Sequence, residues 1–374
     1  MRVILALFVI TAAGCGPVWD TYRGGPGRAG ALRPTLAGPP HGRLWERELS
    51  APSFSSPVLG ERTLLVGSSD DYLNILDPWD GRALFRIKTG GDVSGSAAPA
   101  GGLVYFGSAD GFVYAADPAR GTLRWKFKAD NKILAEPAVA GKVYFATLGG
   151  TLYALEPATG KEKWSARGLG PVWTTPCVSE KRVWVAARDG RLRSFDAASG
   201  RPLGAYDAGA PLSAPPLALG DAIYVATDKG EVRALDAATL RDRWTYAAAA
   251  GVSGFAADGT ALFAADWDGQ VVSLGLNDGR RRWAFDAGSA VEGCPAIAAG
   301  LVYVGTAAGK LYALDAFSGA VRWETDLGAP ISSTPTVGSL PSRGTPFTSA
   351  KSAGWALFVV ADDGKVAAYG DPRP

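Results

Sequence analysis

The chain has 374 residues, 47% of them hydrophobic, with 49 glycines and a formal net charge of +2 from 38 basic and 36 acidic side chains. That is enough apolar material for one large repeated core, and no division into separate globular domains is required. Balanced charge without a basic run lacks the clustered cationic footprint that phosphate contact leaves, which excludes nucleic acid as the expected partner.

Met1-Arg2 is a minimal basic region, Val3 to Ile10 is an apolar core too short to span a bilayer, and Thr11-Ala-Ala-Gly14 places small residues before Cys15. This start resembles a bacterial lipoprotein signal, with residues 1–14 removed and lipid attached to Cys15; the alternative is an ordinary secretory signal cut nearby. In enteric bacteria Gly16 after the cysteine favours export to the outer membrane. Residues 15–41 are rich in Gly and Pro without periodicity and read as a tether. Trp19 and Tyr22 within it are less tether-like and are candidates for docking on the folded part.

Gly42-Arg-Leu-Trp45-Glu-Arg-Glu-Leu49 reads as a turn followed by one strand, without the strands that would precede it in a full unit. A complete unit then repeats. In the second copy, Leu103-Val-Tyr-Phe and Phe112-Val-Tyr-Ala-Ala have the β-branched and aromatic residues of a half-buried pleated surface. The Ala-Asp-Gly111 between them supplies the positive φ of a tight hairpin, giving strands B and C. Asp117-Pro-Ala-Arg-Gly121 is a second turn, Thr122-Leu-Arg-Trp125-Lys-Phe is strand D, and Ser96-Ala-Ala-Pro is strand A, nearest the axis.

The hairpin position recurs as Asp71, Gly111, Gly150, Gly190, Gly230, Gly269, Gly309 and Gly364, in steps of 40, 39, 40, 40, 39, 40 and 55. A period near 40 residues made of short alternating runs and Gly turns predicts an all-β, eight-bladed propeller of four-stranded antiparallel blades. The second turn recurs as Gly81, Gly121, Gly160, Gly200, Gly279 and Gly319, with Leu240 replacing it once. Strand D carries Trp125, Trp164, Trp244, Trp283 and Trp323, with Phe85 and Gly204 in the same place in blades one and four. An indole at one outer position in most blades is expected to wedge between neighbouring sheets, since a ligand box would not repeat.

The last copy has strands B and C but stops before any strand D. The two end fragments therefore complete one blade, removing the open edge of the ring. About fifteen extra residues in the 55-residue step, around 338–354, read as an exposed A–B loop, suited either to recognition or to a tolerated insertion. The propeller is thus placed at 42–374.

Cys177 and Cys294 fall in strand A of blades four and seven, too far around the ring for a disulfide, and are expected as buried, inert thiols. The single histidine, His41, is expected at the surface and excludes a His triad or a multi-His metal site. Asp266-Trp-Asp268-Gly269 and Asp362-Asp363-Gly364 look superficially like calcium ligands, but both sit at the hairpin position and lack the Glu of an EF-hand. They are read as turn chemistry. No catalytic, cofactor or metal residue is assigned.

Gly309-Lys-Leu-Tyr-Ala-Leu-Asp315 through Gly319 to Trp323 resembles the pyrroloquinoline-quinone-type propeller repeats, and Trp19-Asp-Thr-Tyr-Arg-Gly24 is similar to the lead-in of many such proteins. The resemblance spans Trp19 to Asp371 and is specific for fold rather than function. Within it the chain most resembles the BamB lipoproteins of the outer-membrane β-barrel assembly machinery. That likeness implies a non-enzymatic, lipid-anchored scaffold at the outer membrane, a monomer within a complex, binding other proteins without a cofactor. Gly209-Ala-Pro-Leu-Ser213-Ala-Pro215 is comparable to the enteric partner-binding loop but has no Arg there. Alternatives are a general envelope binding or sensor protein of the superfamily, or a divergent quinoprotein dehydrogenase. Such enzymes sandwich a planar quinone between a tryptophan and a disulfide of adjacent cysteines beside calcium, and this chain has no adjacent cysteines.

Overall fold

In the computed structural model, which describes residues 38–179, 181–341 and 354–371, every blade is an antiparallel sheet of four strands. Blade two shows the plan: strand A at Ala98–Ala100, B at Leu103–Gly107, C at Phe112–Asp117 and D at Thr122–Lys128. Eight such sheets form an eight-bladed β-propeller. The expected signal sequence, Cys15, Trp19 and most of the extra residues of blade eight lie outside the described residues. Strand A of that blade runs Thr336–Ser339, so the extra residues follow it and precede strand B at Trp355–Val360.

The hairpin position has positive φ in all eight blades, from 70° at Asp71 to 93° at Gly364. Glycine adopts this conformation without a Cβ clash, which explains why seven of the eight copies use it. Its carbonyl accepts a hydrogen bond from the amide at the end of strand D, 2.8 Å from Thr89 to Asp71 and 2.9 Å from Leu49 to Gly364. The hairpin therefore ties three strands together in each blade.

Closure follows the sequence expectation. Gly42–Glu48 lies antiparallel to Lys365–Gly370, so the N-terminal strand is strand D of blade eight. Across that seam the Thr334 amide donates to the Ser56 hydroxyl at 2.9 Å, and the Thr336 hydroxyl donates to the Pro57 carbonyl at 2.6 Å.

The core is divided among the seams. Each hydrophobic cluster draws on two adjacent blades, as when Tyr144 and Trp164 of blade three pack with Val178 and Val183 of blade four. Repeated blades cannot bury their faces alone, and stacking neighbours supplies the missing partner surface.

The strand D tryptophans lock these seams from outside. The indole N–H of Trp125 donates to the Pro157 carbonyl at 2.8 Å, Trp244 to Leu276 at 2.8 Å and Trp283 to Ala316 at 3.0 Å, each in the next blade's C–D turn. Trp45 makes the same bond to Pro78 at 3.0 Å across the closing seam. The ring lies flat on the turn glycine: a Cβ on Gly160 would meet Trp125 at 2.6 Å. Tryptophan and glycine are thus a matched pair across the seam.

Of the three sequence exceptions, Phe85 covers Gly121 as a tryptophan would, and the other two prove to be one arrangement. Gly204 replaces the tryptophan in blade four, and Leu240 replaces the glycine it would have covered in blade five. A Cβ on Gly204 would lie 2.9 Å from Leu240 Cδ1, so the leucine occupies the vacated space. Leu240 holds φ at 58°, a conformation costly for an L side chain. It packs against the buried core between blades four and five, which includes Trp184.

Candidate functional site

The D–A loops and B–C hairpins share one face of the ring, since the Ser69 amide binds the Pro52 carbonyl, Arg188 that of Pro171 and Trp267 that of Gly251. Here the eight strand A entries converge on a cavity of about 200 Å³ around the axis. Its floor is lined by small polar residues that hydrogen-bond from one blade to the next. The Ser56 amide donates to the Ser96 hydroxyl at 3.1 Å and the Cys294 amide to the Thr334 hydroxyl at 2.8 Å. Ser253 donates to the Gly293 carbonyl at 3.3 Å and Ser213 to Val252 at 2.8 Å. These hydroxyls satisfy strand A backbone groups that have no further strand inside them.

Two residues before Ser56 and Ser96 the chemistry varies from blade to blade. The position is Phe54, Ser94, Leu134, Trp173, Ser213, Val252, Glu292 and Ser332 in successive blades. Phe54 and Trp173 are about half exposed, at 53% and 55%, and line the cavity with Leu134. Glu292 of blade seven is exposed, Glu136 of blade three is buried in the wall beside Leu134, and no Lys, Arg or His lines this axial funnel among the described residues.

Trp173 is held from behind. The Arg188 guanidinium lies 5.0 Å from its ring centre and pairs with Asp228 at 3.1 Å on the next hairpin. Further round, Trp267 lies on Gly251, where any Cβ would come within 2.4 Å of the indole. Burying rigid aromatic area costs little conformational entropy, which suits such side chains to protein contact.

The residues singled out from sequence fall mainly elsewhere. Cys177 is buried in the core between blades four and five, whereas Cys294 is buried in the funnel wall just before strand A of blade seven rather than within it. Ser213 and Pro215 do line the funnel. Asp266 caps its own hairpin, accepting from the amides of Asp268 at 3.1 Å and Gln270 at 2.8 Å, while burial pushes its carboxyl above the ordinary value. Asp363 accepts from the Lys365 amide at 3.0 Å within its own hairpin, whereas Asp362 accepts from the Ser332 amide at 3.0 Å and hydroxyl at 2.7 Å, tying the hairpin to the D–A loop. Exposed His41 lies 2.5 Å from Asp371.

The quinone and calcium of the related enzymes do not fit these side chains. The two buried cysteines stand in different blades, so no adjacent pair can stack on a planar ring beside Trp173. Among the described residues no group of three or more His, Cys, Asp and Glu side chains is arranged to hold a metal.

Phe54, Trp173, Glu292 and Trp267 were not found from sequence. Aligning the repeats two residues before Ser56 and Ser96 would have brought the first three to one position.

A ring of these repeats, with a varied funnel on one face, defines a propeller of the quinoprotein-repeat class. The family described as outer membrane protein assembly factor BamB matches at residues 38–136, 109–208, 199–284 and 267–370, and the chain belongs to that family. BamB from Nitrosomonas eutropha is 33% identical over 105 residues, 28% of this chain and only 25% of that protein's length. The structure of BamB from Moraxella catarrhalis superposes with a TM-score of 0.72 at 16% identity, covering 88% of this chain and 99% of that one. Quinohemoprotein alcohol dehydrogenase from Comamonas testosteroni superposes with a TM-score of 0.80 at 15% identity, covering 96% and 81%. Identity this low in both structures speaks for the fold alone.

Proposed function

We propose that this protein is a non-enzymatic scaffold of the bacterial cell envelope, anchored through lipid on Cys15, that binds proteins in the assembly of outer-membrane β-barrels. It works as a monomer within a complex, touches the membrane only through its anchor and has no nucleic-acid partner. The observation that carries this reading is the family match, which runs through the whole ring in four overlapping stretches. The funnel supports it, because exposed aromatics on a rigid polar frame suit protein contact better than the cofactor chemistry of the dehydrogenases.

The test is a pull-down of tagged protein from detergent-solubilised membranes with mass spectrometry of what accompanies it. Recovery of the β-barrel assembly protein in near-equal amount is expected; a different envelope partner in its place would discard the assembly role. Quinone binding with dye reduction, after addition of the quinone and calcium to purified protein, would favour the enzyme instead. Membrane attachment and palmitate labelling are expected to disappear in Cys15→Ala.

A further inference from the structure

We propose that the axial funnel receives a basic side chain, arginine or lysine, presented by a loop of the protein partner. The inference rests on the protein-binding reading above and adds what the partner must bring. The argument begins with what the funnel has left to offer. Most wall hydroxyls are spent on strand A carbonyls and amides, as with Ser56, Ser96, Ser213 and Ser253. Two features remain open at the mouth. Glu292 is exposed and lines the cavity. Trp173 is 55% exposed although Arg188 already stacks near it.

A guanidinium or ammonium group matches both. Its charge complements Glu292 in a wall without a cationic side chain among the described residues, and its apolar stem can lie along Trp173 and Phe54. Cations are also attracted to aromatic faces, so Trp173 contributes more than area. An anionic side chain would meet Glu292 and no compensating charge. The cavity, about 200 Å³, has room for one long side chain but not for a folded domain, which fits a protruding loop.

The test uses purified protein labelled with 5-fluorotryptophan, the Trp173 resonance being assigned by its loss in Trp173→Phe. Blocked pentapeptides Gly-Ser-Arg-Ser-Gly and Gly-Ser-Glu-Ser-Gly are titrated. The Arg peptide is expected to shift the Trp173 signal saturably, the Glu peptide is not, and Glu292→Gln weakens the Arg peptide at least about fivefold. An unmoved Trp173 signal, or equal affinity in Glu292→Gln with its fluorine spectrum otherwise unchanged, overturns the proposal. Putrescine shifting Trp173 at the same concentration as the peptide also overturns it, because the funnel would then read a small cation rather than a partner. No envelope partner takes part, so failure here leaves the pull-down result standing, and the reverse.

Discussion

The outer rim and the axial funnel are made by the same repeats, yet the rim repeats its chemistry and the funnel mouth does not. At the rim, tryptophan in one blade covers the turn glycine of the next at five seams, Phe85 covers Gly121 at a sixth, and a seventh places Leu240 against Gly204. At the funnel mouth, one position holds phenylalanine, serine, leucine, tryptophan, valine or glutamate. A position held to one solution by its neighbours across a seam is doing structural work. A position that varies freely on a rigid frame is open to a partner, and the difference can be broken by mutation.

The largest expected effect is at the rim. Trp164 is buried, packs at 5.8 Å from Tyr144 and donates to the Ala197 carbonyl. Trp164→Ala should cost about 3–5 kcal/mol, read from the midpoint and slope of urea unfolding. A loss below about 1 kcal/mol would show that the seam does not depend on its tryptophan.

The exceptional seam sharpens the comparison. Gly204→Trp alone drives an indole into Leu240 and should cost about 1–3 kcal/mol through overpacking. Adding Leu240→Gly should recover most of that, since it restores the pairing of the other seams and removes the 58° φ from a leucine. Additive losses in the double variant would refute the idea of a matched pair.

These cases show what the sequence makes legible. Hairpin and turn glycines are readable because positive φ selects glycine locally, and even Asp71 could be placed by its register in the period. Ring closure was readable because two incomplete units sum to one. Gly204 and Leu240 were visible as separate exceptions, but their coupling crosses a seam and belongs to packing, not to local sequence. The funnel residues escaped for a related reason. Whether the side chain two residues before Ser56 and Ser96 faces the axis depends on how eight sheets are arranged, and no local propensity encodes it.

A smaller effect is expected from pH. Asp315 accepts from Arg322 at 2.9 Å and from the amide and hydroxyl of Ser318, each at 2.9 Å, which holds its carboxyl down at about 2. A depressed folded value means that the charged form stabilises the turn. The contribution is complete above the unfolded value near 4 and is lost as pH falls toward about 2. The stability difference between the parent and Asp315→Asn should therefore shrink across that window, followed by unfolding at a series of pH values. A difference that stays constant would remove the ionised turn from the account.

The smallest change in stability is expected at the funnel. Trp173 is more than half exposed and makes its ring contact through Arg188, so Trp173→Ala should move the unfolding free energy by only about 0.5 kcal/mol. It removes the same amount of side chain as Trp164→Ala. The contrast between the two therefore isolates location from chemistry: one indole is buried on a partner blade, the other waits at the axis. If Trp173→Ala destabilised the ring as much as the rim variant, the funnel aromatics would be structural. If it left stability intact while weakening capture of the partner recovered in the pull-down, the non-repeating ring would be the part of the propeller that recognition uses.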